Sequence, residues 1–180
     1  PIVKSNALKL IRALQLERPI LLEGDPGIGK TSIVSAIAKK SGHKLIRINL
    51  SEQTDISDLF GSDLPDASNQ DDDTPKFCWH DGPLLQAIKD SSWVLLDEMN
   101  LASQSVLEGL NACFDHRGEI FIPELNRKFS VDRKSTRIFA CQNPHDQGAA
   151  RKGLPRSFLN RFTSIYFESH ASDDLVVILH

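Results

Sequence analysis

Short, wholly apolar segments alternating with amphipathic ones predict an α/β domain with a largely parallel sheet. Two observations carry that prediction. PILLEG (19–24), SWVLLDE (92–98) and RIFACQN (137–143) are apolar at consecutive positions rather than at every second one, as strands covered on both faces must be. The stretches between them carry apolar residues at the three- and four-residue spacing of helices that cover such a sheet. At 180 residues the chain is long enough for one domain with a substantial core.

Taken in order, NALKLIRALQL (6–16) has its apolar stripe at 7, 8, 10, 11 and 14 and predicts a helix. PILLEG is a buried strand ended by glycine. TSIVSAIAKKSG (31–42) predicts a helix with lysines in its last turn and Gly42 as its stop. KLIRINL (44–50) alternates as a strand, and SEQTDISDLFG (51–61) predicts a short capped helix. Residues 62–76 offer almost nothing to bury and predict a mobile loop. Order returns with FCWHDG, and a helix starts near Pro83. The SWVLLDE strand leads to a helix over 103–118 with Gly118 past its end. EIFIPELNRKFSV (119–131) predicts a hairpin, and RIFACQN and TSIYFE (163–168) two further strands.

Apolar residues make up 40% of the chain, charged residues 25%, and the net charge is −3. That balance gives no global attraction to nucleic acid or anionic membrane. Three cysteines without paired spacing fit a reducing compartment. No apolar run approaches the ~20 residues that span a bilayer. The start, PIVKSN, has neither an initiator methionine nor signal-peptide character, and the closing SDDLVVILH reads as a helix cut off soon after it begins. The expectation is a piece of a longer protein.

Three strand ends carry the chemistry. GDPGIGKT (24–31) fits G-x-x-x-x-G-K-[ST] between a strand and a helix, the context a phosphate-binding loop requires. Gly24, Gly27 and Gly29 let the loop of 24–32, which also contains Asp25, Pro26, Ile28 and Ser32, curl so that its backbone N–H groups, all but that of the proline, surround phosphate oxygens at the helix N-terminus. Lys30 would reach the β- and γ-phosphates of ATP, and Thr31 would hold Mg²⁺. SWVLLDE delivers Asp97, a second candidate Mg²⁺ ligand, and Glu98, which would polarise the attacking water; a surface Asp-Glu pair is the plain alternative. RIFACQNP ends on Asn143, placed to sense the γ-phosphate or orient the water, although Asn-Pro alone is a turn former. Asn49, at the end of KLIRINL, would hold Glu98 in an inactive pose if the two strands are neighbours.

The order GDPGIGKT, LLDEMN, CQNP, LPRSFLNRF resembles the AAA+ ATPases, in the dynein- and MoxR-related branch. Longer phrases, including NLSEQTDISDLFGSDLP and WVLLDEMNLASQSVLEGLNACFDHRGEIFIPEL, are similar to the tandem modules of the dynein-related ring ATPases of large-ribosomal-subunit assembly. The likeness covers nearly the whole chain and is weakest over 66–76. It implies a P-loop AAA+ three-layer αβα sandwich on a five-stranded parallel sheet in the order 5-1-4-3-2. An insert in helix 2 falls at 62–83, and a hairpin precedes the first sensor. Residues 1–180 would be the large α/β subdomain, with the helical lid beyond them.

The resemblance also implies that Arg161 acts as a finger on a neighbouring module's nucleotide, with Arg156 as the second candidate. It further implies neighbouring modules of the same chain in a pseudo-hexameric ring, work on the pre-60S particle and its assembly factors, and a place in the nucleolus and nucleoplasm. Other readings are a nucleotide-binding module without turnover, a MoxR-type chaperone, or a DNA-acting motor, against which the negative charge speaks. The basic residues Arg127, Lys128, Arg133, Lys134 and Arg137 read either as a solvated hairpin or as a contact to ribosomal RNA.

Overall fold

A strand with apolar side chains pointing both ways must be covered on both faces, and the period of two sorts those side chains into two cores. The computed structural model, which describes residues 2–65, 77–142 and 153–169, shows this sorting directly. The central sheet comprises β1 (Ile20–Glu23), β2 (Leu45–Asn49), β5 (Trp93–Asp97), β8 (Ile138–Gln142) and β9 (Thr163–Tyr166). All pairings in it are parallel, in the order β2-β5-β8-β1-β9. Counted along the chain, that is the expected 5-1-4-3-2.

Leu21, Val94, Leu96, Ile138 and Ala140 point to one face. They meet α3 (Ile56–Phe60), α4 (Pro83–Lys89), α5 (Gln104–Phe114) and α6 (Arg156–Leu159) through Leu59, Leu85, Leu110 and Phe158. Ile20, Leu22, Trp93, Leu95, Phe139 and Cys141 point to the other face, against α1 (Ile2–Ala13) and α2 (Lys30–Lys40) through Leu10, Val34 and Ala38. The result is three layers. Asn6 of α1 pins the chain just after β9: its Nδ2 donates to the Glu168 carbonyl at 3.1 Å and its Oδ1 accepts from the Glu168 N–H at 3.2 Å.

Four segments differ from the sequence expectation. The first helix, expected over 6–16, starts earlier and ends earlier, at Ile2–Ala13. Residues 62–65 are not loop: β3 (Gly61–Pro65) pairs antiparallel with β4 (Phe77–Asp81), Pro65 opposite Phe77. The pairing partner lies beyond residues 66–76, so no local signal announces it. The helix expected over 103–118 ends at Phe114, because Asp115 turns extended (φ −62°, ψ 157°) and the Arg133 guanidinium donates to the carbonyls of Phe114 and Asp115. Gly118, at φ 58°, instead opens the hairpin of β6 (Glu119–Ile122) and β7 (Arg127–Ser130). The helix expected over 51–61 is confined to α3, where Asp55 and Asp58 form a capping box. Residues 172–180, expected to begin a helix, lie outside the described residues.

Candidate nucleotide site

β1, β5 and β8 run in parallel, so their carboxyl ends share one edge of the sheet, where α/β folds place ligands. From β1 the chain enters the glycine-rich loop. Gly24 (φ 149°) sits so tightly that a β-carbon there would lie 2.5 Å from Ile28 Cδ1 and 2.8 Å from the Phe167 carbonyl oxygen. Gly29, left-handed at φ 84°, caps α2, so the first N–H groups of that helix open onto the loop. Lys30 is 7% exposed. Its Nζ donates to the carbonyls of Gly24 at 2.7 Å and Asp25 at 2.9 Å. Burial holds its pKa below the ordinary lysine value, with Cys141, Asp97 and Glu98 acting in the opposite direction.

Thr31 Oγ1 donates to Asp97 Oδ2 at 3.3 Å, which brings the two candidate metal ligands together across 66 positions of sequence. The same oxygen accepts from Arg47 Nη2 at 2.6 Å and Nε at 3.2 Å. Asp97 Oδ1 accepts the Glu98 N–H at 3.1 Å. Glu98 is one of three non-glycine residues with positive φ among those described (φ 56°, ψ 43°), a strained backbone of the kind that collects at functional sites. Pro26, Gly27, Gly29, Lys30, Thr31, Ser32, Asp97 and Glu98 line one open cleft of about 310 Å³.

A curled loop of N–H donors, a buried lysine and a hydroxyl–carboxylate pair of hard oxygen donors fit a polyphosphate with Mg²⁺. Asn49 lies opposite Asp97 in the β2–β5 register, the neighbourhood its proposed role requires. Asn143 lies outside the described residues. Arg47 escaped the sequence reading. Its only signal is alternation within β2, where residue 47 shares a face with 45 and 49, and nothing local places Asp97 beside it.

Arg161 lies at the opposite edge of the sheet. The chain enters β9 two residues later, where Thr163 pairs with Ile20 at the start of β1. β1 has four residues, about 13 Å at ~3.3 Å each, so Arg161 is a strand's length from the loop of its own chain. Arg161 Nη1 instead donates to Asp115 Oδ1 at 2.9 Å. Hydrogen bonds from the His116 side chain and from Arg161 hold the Asp115 carboxyl down at about 2. Arg156, at the start of α6, is exposed. Two of the five basic residues near the hairpin have structural partners: Arg133 caps α5, and Arg137 donates to the Leu16 carbonyl at 3.0 Å.

This combination of strand, glycine loop, helix-borne lysine and facing Asp-Glu strand end defines a P-loop nucleotide-binding protein. Residues 19–162 match the family described as AAA domain (dynein-related subfamily), and the chain belongs to that ATPase family. It is 54% identical over 178 residues to midasin of Dictyostelium discoideum and 55% identical over 180 residues to midasin of Giardia intestinalis. In both, 99% of this chain is covered, and the chain spans only 3% and 4% of those proteins. The denitrification regulatory protein NirQ of Pseudomonas aeruginosa is 29% identical over 168 residues, covering 93% of this chain and 61% of NirQ. A putative ATPase of known structure from Cytophaga hutchinsonii shares the fold, with a TM-score of 0.74 and 24% identity over 98% of this chain and 49% of its own.

Proposed function

We propose that the chain binds ATP with Mg²⁺ in the cleft at the carboxyl edge of the sheet and hydrolyses it when a neighbouring module supplies an arginine. The observation that carries this reading is the meeting of Lys30, Thr31, Asp97 and Glu98 around one cleft. The loop N–H groups and Lys30 bind and orient the phosphates, and Lys30 is held by two loop carbonyls at the base of the cradle. Thr31 and Asp97 would hold the Mg²⁺, which supplies charge neutralisation as the phosphoryl group transfers. Glu98 orients and polarises the attacking water. Asn143 is retained in this reading as the sensor.

Arg161, set at the far edge from its own cleft, serves the adjacent module, with Arg156 as the second candidate. A planar, permanently charged donor suits the spread charge of the transferring group, and such arginines contribute ~10³–10⁵ in rate. The pairing with Asp115 holds Arg161 in place until a neighbour's phosphates compete for it. The chain acts as one large AAA+ subdomain within a pseudo-hexameric ring, whose turnover remodels pre-60S particles in the nucleus. The similarity to two midasins supports that setting.

The test is single-turnover ATP hydrolysis over a wide range of chain concentration, with an Arg161→Ala variant beside it. The expected result is a per-site rate that climbs with concentration and disappears in the variant. ATP binding with turnover flat at background at every concentration would instead favour a module that keeps nucleotide without hydrolysing it. A Glu98→Gln exchange in the full-length ring decides between the two, since it is silent only in the second case.

A further inference from the structure

Asp97 is held from two sides. Its Oδ2 accepts from Thr31 Oγ1 at 3.3 Å, and from Arg47 Nη2 at 2.6 Å and Nε at 3.2 Å. Its Oδ1 accepts the Glu98 N–H at 3.1 Å. A carboxylate oxygen offers about two acceptor positions, so Oδ2 is filled. Thr31 and Asp97 are the two candidate metal ligands, and Oδ2 is the oxygen through which they meet. Arg47 is therefore bonded to the oxygen that a metal shared by Thr31 and Asp97 would use. The arginine side chain is 59% exposed and that of Asp97 14%. Among the described residues, Asp97 is the arginine's one hydrogen-bond partner, so releasing it breaks no other hydrogen bond.

We propose that Arg47 is the resident counter-cation of Asp97, and that it must let go of the carboxylate before a divalent cation is held between Thr31 and Asp97. Arg47 then sets how strongly nucleotide binding depends on metal. While the arginine is seated, it offsets the Asp97 charge, and a polyphosphate meets less repulsion in the cleft. Once it is released, the whole carboxylate charge faces the cation, and the guanidinium stands in solvent, which its exposure makes cheap. A Mg²⁺-like cation is held by one or two carboxylates together with substrate phosphates. The exchange is therefore favoured with nucleotide bound and disfavoured in the empty cleft. Nothing local in the sequence shows this contact, because Arg47 and Asp97 are 50 positions apart and meet only through the β2–β5 pairing. The proposal rests on the ATP–Mg²⁺ reading of the cleft, and its test separates the two.

The experiment is a titration of mant-ADP into the 180-residue chain, in EDTA and at a series of free Mn²⁺ concentrations, with Arg47→Gln and Arg47→Lys beside the parent. Arg47→Gln is expected to weaken nucleotide binding in EDTA by about threefold, since Asp97 is left uncompensated. It should also lower the free-Mn²⁺ midpoint of the nucleotide complex by about threefold to fivefold. Arg47→Lys, which keeps the charge, should resemble the parent in both. The two shifts run in opposite directions, whereas loss of local structure would weaken both nucleotide and metal. A raised midpoint in Arg47→Gln would make the arginine a buttress that orients Asp97 for the metal, and an unchanged midpoint would make it a surface pair. Either result overturns the proposal and leaves the nucleotide reading intact. If the parent itself binds no mant-ADP, or binds it without regard to Mn²⁺, the nucleotide reading fails and the role of Arg47 fails with it.

Discussion

Asp115 and Arg161 show at the residue scale how one ion pair serves two ends. Asp115 closes α5, and its carboxylate accepts from Arg161, the arginine proposed to serve a neighbour's nucleotide. Its folded pKa of about 2 lies below the ordinary value of 3.8, so its stabilising contribution is complete above that ordinary value and is lost as pH falls towards 2. In thermal melts between pH ~4 and ~2, Asp115→Asn should flatten the acid limb relative to the parent and leave the neutral plateau with the same slope. Gly24 offers a harsher residue-scale test. A β-carbon there meets both Ile28 and the Phe167 carbonyl, so Gly24→Ala should reduce stability by about 1–3 kcal/mol in urea titration. A change within experimental error would mean that the loop relaxes.

At the scale of elements, α5 and α6 are joined by aromatic packing that no single segment contains. Phe114 meets Phe158 and Phe162 edge-on at 5.4 and 5.0 Å between centroids, and Phe158 lies 5.3 Å from Phe162. All three are buried, and they anchor the LPRSFLNRF segment from which Arg156 and Arg161 project. Truncation by Phe158→Ala should remove about 3–5 kcal/mol of stability, read as a lower urea midpoint. It should also loosen Arg161, so finger-dependent turnover falls with it. The C-terminus of α5 depends on Arg133, which reaches back from beyond β7 to two of its terminal carbonyls. Arg133→Ala is expected to cost about 1–2 kcal/mol in the same assay, whereas Lys134→Ala, whose side chain lies at the exposed turn, should stay within ~0.5 kcal/mol.

Over the whole molecule, the parallel sheet gives the domain two unlike edges. The carboxyl edge carries the glycine loop, Asp97 and Glu98, and the amino edge carries Arg161. On the proposed reading, a module whose nucleotide cleft and arginine face opposite ways would be complete only head to tail with another. The two cores bury two of the three thiols: Cys113 lies in one core and Cys141 in the other, with burial pushing both thiols up to about 12, while Cys78 is exposed on β4. Brief iodoacetamide treatment at pH ~8 should therefore add one adduct to the native chain and three after unfolding, counted by intact mass. Early modification of Cys141 would show that the core on the α2 face opens independently of the other.

Much of this was legible in the sequence because it depends on spacing along the chain. Consecutive apolar residues mark three of the five central strands, glycines and a lysine at set intervals mark the loop, and Asp97-Glu98 ends a buried strand. The motif order resembled AAA+ ATPases, which supplied the strand order that periodicity alone does not contain. Contacts between distant segments could be decided only by tertiary structure. Arg47 meets Asp97 across 50 positions, Arg133 ends α5 from 19 positions away, Arg161 finds Asp115 across 46, and Pro65 pairs with Phe77. Local backbone preference and hydrophobic periodicity act within a few residues, whereas hydrogen bonds and ion pairs between elements exist only after the sheet has set its register.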